Sequence, residues 1–294
     1  MTQGIIPAQA QVSIEYFPPR NLSSERALLT GAHALRRFEP SCQTITFGAD
    51  GSGTEGSLDW SVRLQSLNNI PTACHLAMCR FDHESLAEHA HQLWNNDIKS
   101  LVVIRGDQPE GQEIANSPSV VEGIEILKSL YPFDISVSAY PETHPKAVSA
   151  SADLQALIAK QKAGADRAIT QYFFDNELYY RFVKQARAAG FRKPIVPGIM
   201  PIANFEKIIG FSEKCGASIP DYFHPLFAGA GDDKKAQSDV ARQLVEEQVR
   251  DLAQSGVDAI HIYSLNRVDL TADAIRAFYE SFEDEFDQLP ALAG

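Results

Sequence analysis

The chain has 294 residues, 44% hydrophobic and 22% charged, a soluble composition large enough to bury one full core. Its formal net charge of −12 argues against nucleic acid as a partner, because phosphate backbones demand a dense basic footprint. Cys42, Cys74, Cys79 and Cys215 contain no C-x-x-C pair and read as reduced thiols. No apolar run approaches the roughly 20 residues that span a bilayer. The N-terminus lacks the basic-then-apolar pattern of a signal peptide, so a cytoplasmic protein is expected, with no membrane partner.

In chain order, β-branched apolar runs predict strands at Val12–Phe17, Thr44–Phe47, Thr72–Met78, Leu101–Arg105, Ile135–Tyr140, Ala168–Phe174, Ile195–Ile199 and Ala259–Leu265. Helical spacing falls between them, as at Ser24–Phe38, Glu84–Trp94, Ala152–Ala163 and Leu178–Ala189. Eight strand–helix alternations predict an α/β fold, a single (β/α)8 TIM barrel. One domain is expected over residues 1–294, with a short lead at 1–10 and an acidic tail at 281–294. A doubly wound sheet would carry G-x-G-x-x-G after its first strand; here that strand runs into Pro18-Pro19-Arg20. Two stretches break the rhythm: Gln108–Ser119, a polar insertion after the fourth strand, and a helical excursion from Ala203 to Gln254. Within the second, an aspartate of Gly229-Ala230-Gly231-Asp232-Asp233 is expected to cap a helix.

Active sites of such barrels form at the C-terminal ends of the strands. Those ends read Glu15, Thr46, His75, Arg105-Gly106-Asp107, Tyr140, Gln171, Pro197-Gly198 and Arg267. Strand interiors should be apolar on both faces, so convergence of polar groups on one mouth asks for a functional explanation. Glu15, between aromatic and aliphatic neighbours, is expected to lose solvation, raise its pKa and serve as a general acid. Gly106 permits close approach of a ligand, with Arg105 suited to an anion and Asp107 to a polar ring edge. Tyr140 and His144 could stack on a cofactor, and Asp153 and Lys160, two helical turns apart, reach one side of a helix. His75 alone reads as a core histidine, and no metal site is expected from His89 and His91, which point apart on a helix.

Taken together, Ser13–Arg20, Thr46-Phe47-Gly48-Ala49, His75-Leu76, Arg105-Gly106-Asp107, Ala139-Tyr140-Pro141-Glu142 with His144-Pro145, Ala163–Asp166, Thr170–Asp175, Pro197–Pro201 and Leu265-Asn266-Arg267 occur in order. The set resembles the methylenetetrahydrofolate reductase family over roughly residues 11 to 280, in its short bacterial form. The resemblance implies non-covalent FAD, reduced by NADH or NADPH, which then reduces 5,10-methylenetetrahydrofolate to 5-methyltetrahydrofolate by ping-pong exchange, feeding one-carbon and methionine metabolism. It implies that Glu15 protonates the folate as its five-membered ring opens to an iminium ion, and that Asp107 stabilises that cation. Flavin contacts are implied at Thr46, Phe47, Ala49, His75, Arg105, Gly106, Asp107, Tyr140, His144, Asp153 and Lys160. Folate contacts are implied at Asp107, Gln171, Phe211 and Arg267, with Lys207 standing where the family has an uncharged contact. Ala77-Met78 also departs from the family's usual Thr-Cys. The alternative is the same enzyme running mainly as a methyltetrahydrofolate oxidase with poor nicotinamide use. The resemblance also allows a homo-oligomer.

Overall fold

The computed structural model describes residues 10–46, 54–107 and 114–283. The strands are β1 (Gln11–Tyr16), β2 (Cys42–Ile45), β3 (Thr72–Ala77), β4 (Ser100–Ile104), β5 (Asp134–Ala139), β6 (Arg167–Tyr172), β7 (Ile195–Ile199) and β8 (Ala259–Tyr263). They pair in parallel in sequence order, and β8 returns to β1 to close the barrel. The predicted TIM barrel is therefore the fold.

Helices α1 (Leu22–Leu35), α2 (Thr54–Asn68), α3 (His83–Asn95), α4 (Val120–Leu130), α5 (Ala150–Ala163) and α6 (Asn176–Ala188) follow the first six strands in turn. The expected long excursion after β7 is three helices, α7 (Phe205–Cys215), α8 (Phe223–Ala230) and α9 (Lys234–Gln254). Gly216 and Gly231, both at positive φ, end the first two of them. After β8, α10 (Val268–Glu283) packs on α9 and α1 and closes the outer ring. No helix among the described residues is long and apolar enough to cross a membrane.

Local chemistry starts these helices. Asn21, Asp82 and Ser119 each form a capping box with the residue three positions on, and Asp233 caps α9 as expected. Alternation then divides each strand. Ile14, Leu101, Val103, Ile135, Val137, Ile260 and Ile262 are fully or almost fully buried in the layer between strands and helices. Each such side chain contributes about 1.5–3 kcal/mol on burial.

The opposite, inward face departs from the apolar interior expected of a parallel barrel. Ser13, Glu15, Thr44, His75, Ser136, Ser138, Gln171, His261 and Tyr263 line its cavities. These polar atoms bond across strands: Ser13 to His261, Thr44 to His75, and Arg167 to Asp134 and Ser136. Their mutual satisfaction makes a polar interior tolerable.

Candidate active site

Glu15 is the innermost acid of the mouth. It is 8% exposed, its Oε2 lying 3.5 Å from His75 Nε2 and 3.7 Å from His261 Nε2. Register explains the assembly, since β1 and β8 pair Ser13 with His261 and Glu15 with Tyr263, putting all four on the inner face. Burial draws the His75 pKa down to about 4, with Glu15 opposing and His261 adding to the shift. His75 is thus neutral near pH 7 and meets Glu15 as a dipole rather than as an ion-pair partner. Ser13 Oγ lies 2.8 Å from His261 Nδ1, so the two ring nitrogens of His261 face a hydroxyl and a carboxyl.

Around Glu15, a cavity of about 310 Å³ is lined by Thr46, His75, Ser138, Tyr140, Gln171, Met200, His261 and Tyr263, among others. Gln171 enters it beside a register irregularity between β6 and β7. Its amide oxygen accepts from the Tyr172 N–H at 3.0 Å, which leaves the amide nitrogen to meet a ligand. The Tyr263 hydroxyl donates to the Thr170 carbonyl at 2.7 Å across Gly198. Any Cβ at Gly198 would collide with that carbonyl and the Tyr263 ring, which is the physical reason for glycine there. Burial, followed by the nearby Glu15, pushes the Tyr263 phenol well above its ordinary pKa, so it stays a neutral donor.

A second cavity, of about 440 Å³, adjoins the first through Ile104, Ser138 and Tyr140. It gathers Arg105, Gly106, Asp107, His144, Lys146, Asp153 and Lys160. The turn after β4 is pinned by two bonds from Cys79, its N–H to Arg105 O at 3.0 Å and its thiol to Asp107 O at 3.6 Å. Gly106 takes φ +80 within that turn. Asp153 accepts from the His144 N–H at 2.9 Å, and the His144 ring meets Tyr140 edge-on at 4.5 Å. Lys160 donates to Ser138 O at 2.9 Å, and burial brings its pKa down to about 8 with Asp153 opposing. Burial, then Asp153, raises the Tyr140 pKa, while burial and Arg105 lower that of His144.

Three observations bear on whether the residues present could hold the flavin dinucleotide that the resemblance implies. Cationic donors on one wall suit a diphosphate, Tyr140 offers a ring face where the two cavities meet, and Thr46 Oγ1 is buried without a partner among the described residues.

Not every expected residue joins these cavities. Phe47 and Ala49 lie outside the described residues, as do residues 108–113, the first half of the insertion after β4. Asp107 is at the rim of the cation-bearing cavity, its side chain 95% exposed and 3.6 Å from Lys146 Nζ, rather than beside Glu15. Lys207 and Phe211 sit one turn apart on α7, both exposed, and line neither cavity. Arg267 was expected at a strand end, but β8 stops at Tyr263 and Arg267 follows a turn in which Leu265 and Asn266 adopt φ 47 and 55. There the Asn266 side chain both accepts from Phe17 N and donates to Phe17 O, tying the end of β8 to that of β1. Ser138, His261, Tyr263 and Lys146 are site residues the sequence reading missed. Period-two polarity in His261-Ile262-Tyr263 beside Ser13-Ile14-Glu15 was the available signal for two of them.

A closed barrel with a buried acid at its mouth and an adjoining cation-lined cavity has the layout of a TIM-barrel enzyme, its candidate site lying at the C-terminal ends of the strands. The family described as Methylenetetrahydrofolate reductase matches residues 1–278, and the chain belongs to it. A 5,10-methylenetetrahydrofolate reductase of Escherichia coli (strain K12) is 35% identical over 268 residues, covering 90% of each chain. Another, from Buchnera aphidicola subsp. Schizaphis graminum, is 35% identical over 260 residues, 88% of this chain and 89% of that one. Among solved structures, an uncharacterized protein from Clostridium thermocellum that binds two copies of 5-methyl-5,6,7,8-tetrahydrofolic acid superposes with a TM-score of 0.63. It is 14% identical and covers 93% of this chain and 95% of its own, a likeness of fold.

Proposed function

We propose that the protein reduces 5,10-methylenetetrahydrofolate to 5-methyltetrahydrofolate, using FAD and a reduced nicotinamide nucleotide in ping-pong order. The observation that carries this reading is Glu15, buried beside two imidazoles in a cavity that shares a wall with the cation-lined one. When bound, the flavin carries hydride from nicotinamide to folate. Arg105, His144 and Lys160 would hold its anionic portion, Gly106 and Tyr140 its ring, and Thr46 one polar edge.

The chain's own groups supply the proton and the field. Glu15 donates its carboxyl proton to the folate nitrogen that leaves the bridging carbon, opening the five-membered ring. Asp107, at the rim, favours the resulting cation through its charge. Gln171 orients the pterin through its amide nitrogen, and Phe211, Lys207 and Arg267 meet the parts of the folate that extend beyond the mouth.

Glu15→Gln separates the steps. We expect flavin reduction by nicotinamide to persist while folate reduction falls by about a hundredfold or more, read by anaerobic stopped-flow absorbance. Both half-reactions at native rate in that variant would overturn the role of Glu15.

A further inference from the structure

Asp107 and Lys146 meet at the rim of the cation-lined cavity, one on the turn after β4 and the other on the loop after β5. Both backbones are held. Cys79 binds Arg105 O and Asp107 O on one side. On the other, Pro145 and Lys146 occupy the middle of a β-turn closed by the Ala147 N–H donating to His144 O at 2.8 Å, with proline at the position that favours such a turn. The Lys146 N–H also donates to His144 Nδ1 at 2.9 Å, and the His144 N–H to Asp153 at 2.9 Å. What remains free to move is the two side chains, 65% and 95% exposed, with Lys146 Nζ 3.6 Å from Asp107 Oδ1.

The two lysines of this cavity are not equivalent. Lys160 is mostly buried and committed to Ser138 O, with Asp153 close by. Lys146 stands at the rim on a flexible four-carbon stem, and its ion pair is with an exposed carboxylate. A pair so open to water is weakly held, because both charges are well hydrated and screened by salt. A doubly charged diphosphate entering the same cavity is the stronger anion, and a change of side-chain rotamer is all that Lys146 needs to reach towards it.

Building on the proposed FAD-dependent activity, we propose that Lys146 is a further cofactor contact, paired with Asp107 until FAD binds and then exchanged onto the anionic portion of FAD, which frees the Asp107 carboxylate for the folate cation. The link is reciprocal by thermodynamic necessity. By whatever factor Asp107 weakens FAD binding through its hold on Lys146, FAD weakens the Asp107–Lys146 pair. Asp107 is thus offered to substrate when the cofactor is in place, and is neutralised by Lys146 when it is not.

The test is a double-mutant cycle read by titrating FAD into the apoprotein at fixed salt and following flavin fluorescence. Both side chains are exposed, so the variants remove no buried packing. Lys146→Gln is expected to weaken FAD binding about tenfold, the loss of one charge-assisted contact. Asp107→Asn is expected to tighten it about threefold by releasing the lysine. In the double variant that gain should vanish, leaving the affinity of Lys146→Gln alone, because no lysine remains to be released. Lys162→Gln, at an exposed position on α5 that lines neither cavity, changes the net charge equally and should leave FAD affinity within about twofold of native. Native affinity in Lys146→Gln, a loss in Lys162→Gln as large as that in Lys146→Gln, or the same gain from Asp107→Asn with and without Lys146 would each overturn the proposal while the unaltered protein still binds FAD. An unaltered protein that takes up no FAD would remove the flavin reading itself, and this proposal with it.

Discussion

At His75, burial beside Glu15 and His261 lowers the imidazole pKa from 6.5 to about 4. The unfolded chain therefore takes up this proton as the pH falls through 6.5, whereas the folded one does so only near 4. Stability associated with this group is full above pH 6.5 and declines as pH drops towards 4, by up to about 1.4 kcal/mol per pH unit. We expect His75→Gln, which cannot titrate, to lose less stability than the unaltered protein between pH 7 and pH 4.5 in urea unfolding. Equal losses in the two proteins would contradict the assigned burial.

At the scale of elements, the turn after β4 carries much of the cofactor wall. Its φ of +80 at Gly106 is a conformation that L side chains rarely adopt, and a Cβ there would lie 2.7 Å from both Ala77 Cβ and Cys79 Sγ. Gly106→Ala is thus expected to lose about 1–3 kcal/mol of stability and to weaken FAD binding. Thermal unfolding of the apoprotein and fluorescence titration with FAD measure the two effects, and native values for both would exclude the tight turn as their cause. Strands were the most legible elements, because each is a short, largely apolar run, and all eight overlap the predicted runs, β2 lying two residues earlier than its prediction. The excursion after β7 was less legible. Its division into α7, α8 and α9 follows Gly216, Pro220 and Gly231, signals that were present in the sequence but outweighed by the helical spacing around them.

For the molecule as a whole, ring closure made what local reading could not. Ser13 and His261 touch although they are 248 residues apart, and only the pairing of the last strand with the first brings them together. Hence Glu15 was visible in the sequence as an acid among apolar neighbours, while its imidazole partner on β8 was not. Arg105, Gly106, Tyr140, His144, Asp153 and Lys160, drawn from two adjacent loops and one helix, line one cavity. Lys207, Phe211 and Arg267 stand apart from the two cavities, on α7 and on the turn that joins β8 to α10. The most direct measurement is the anaerobic absorbance spectrum of the FAD-loaded protein during successive additions of a reduced nicotinamide nucleotide and methylenetetrahydrofolate. We expect nicotinamide to bleach the flavin and methylenetetrahydrofolate to restore its colour with formation of methyltetrahydrofolate. A protein that takes up no FAD, or a bleached flavin that methylenetetrahydrofolate leaves reduced, would contradict the flavin-dependent reductase.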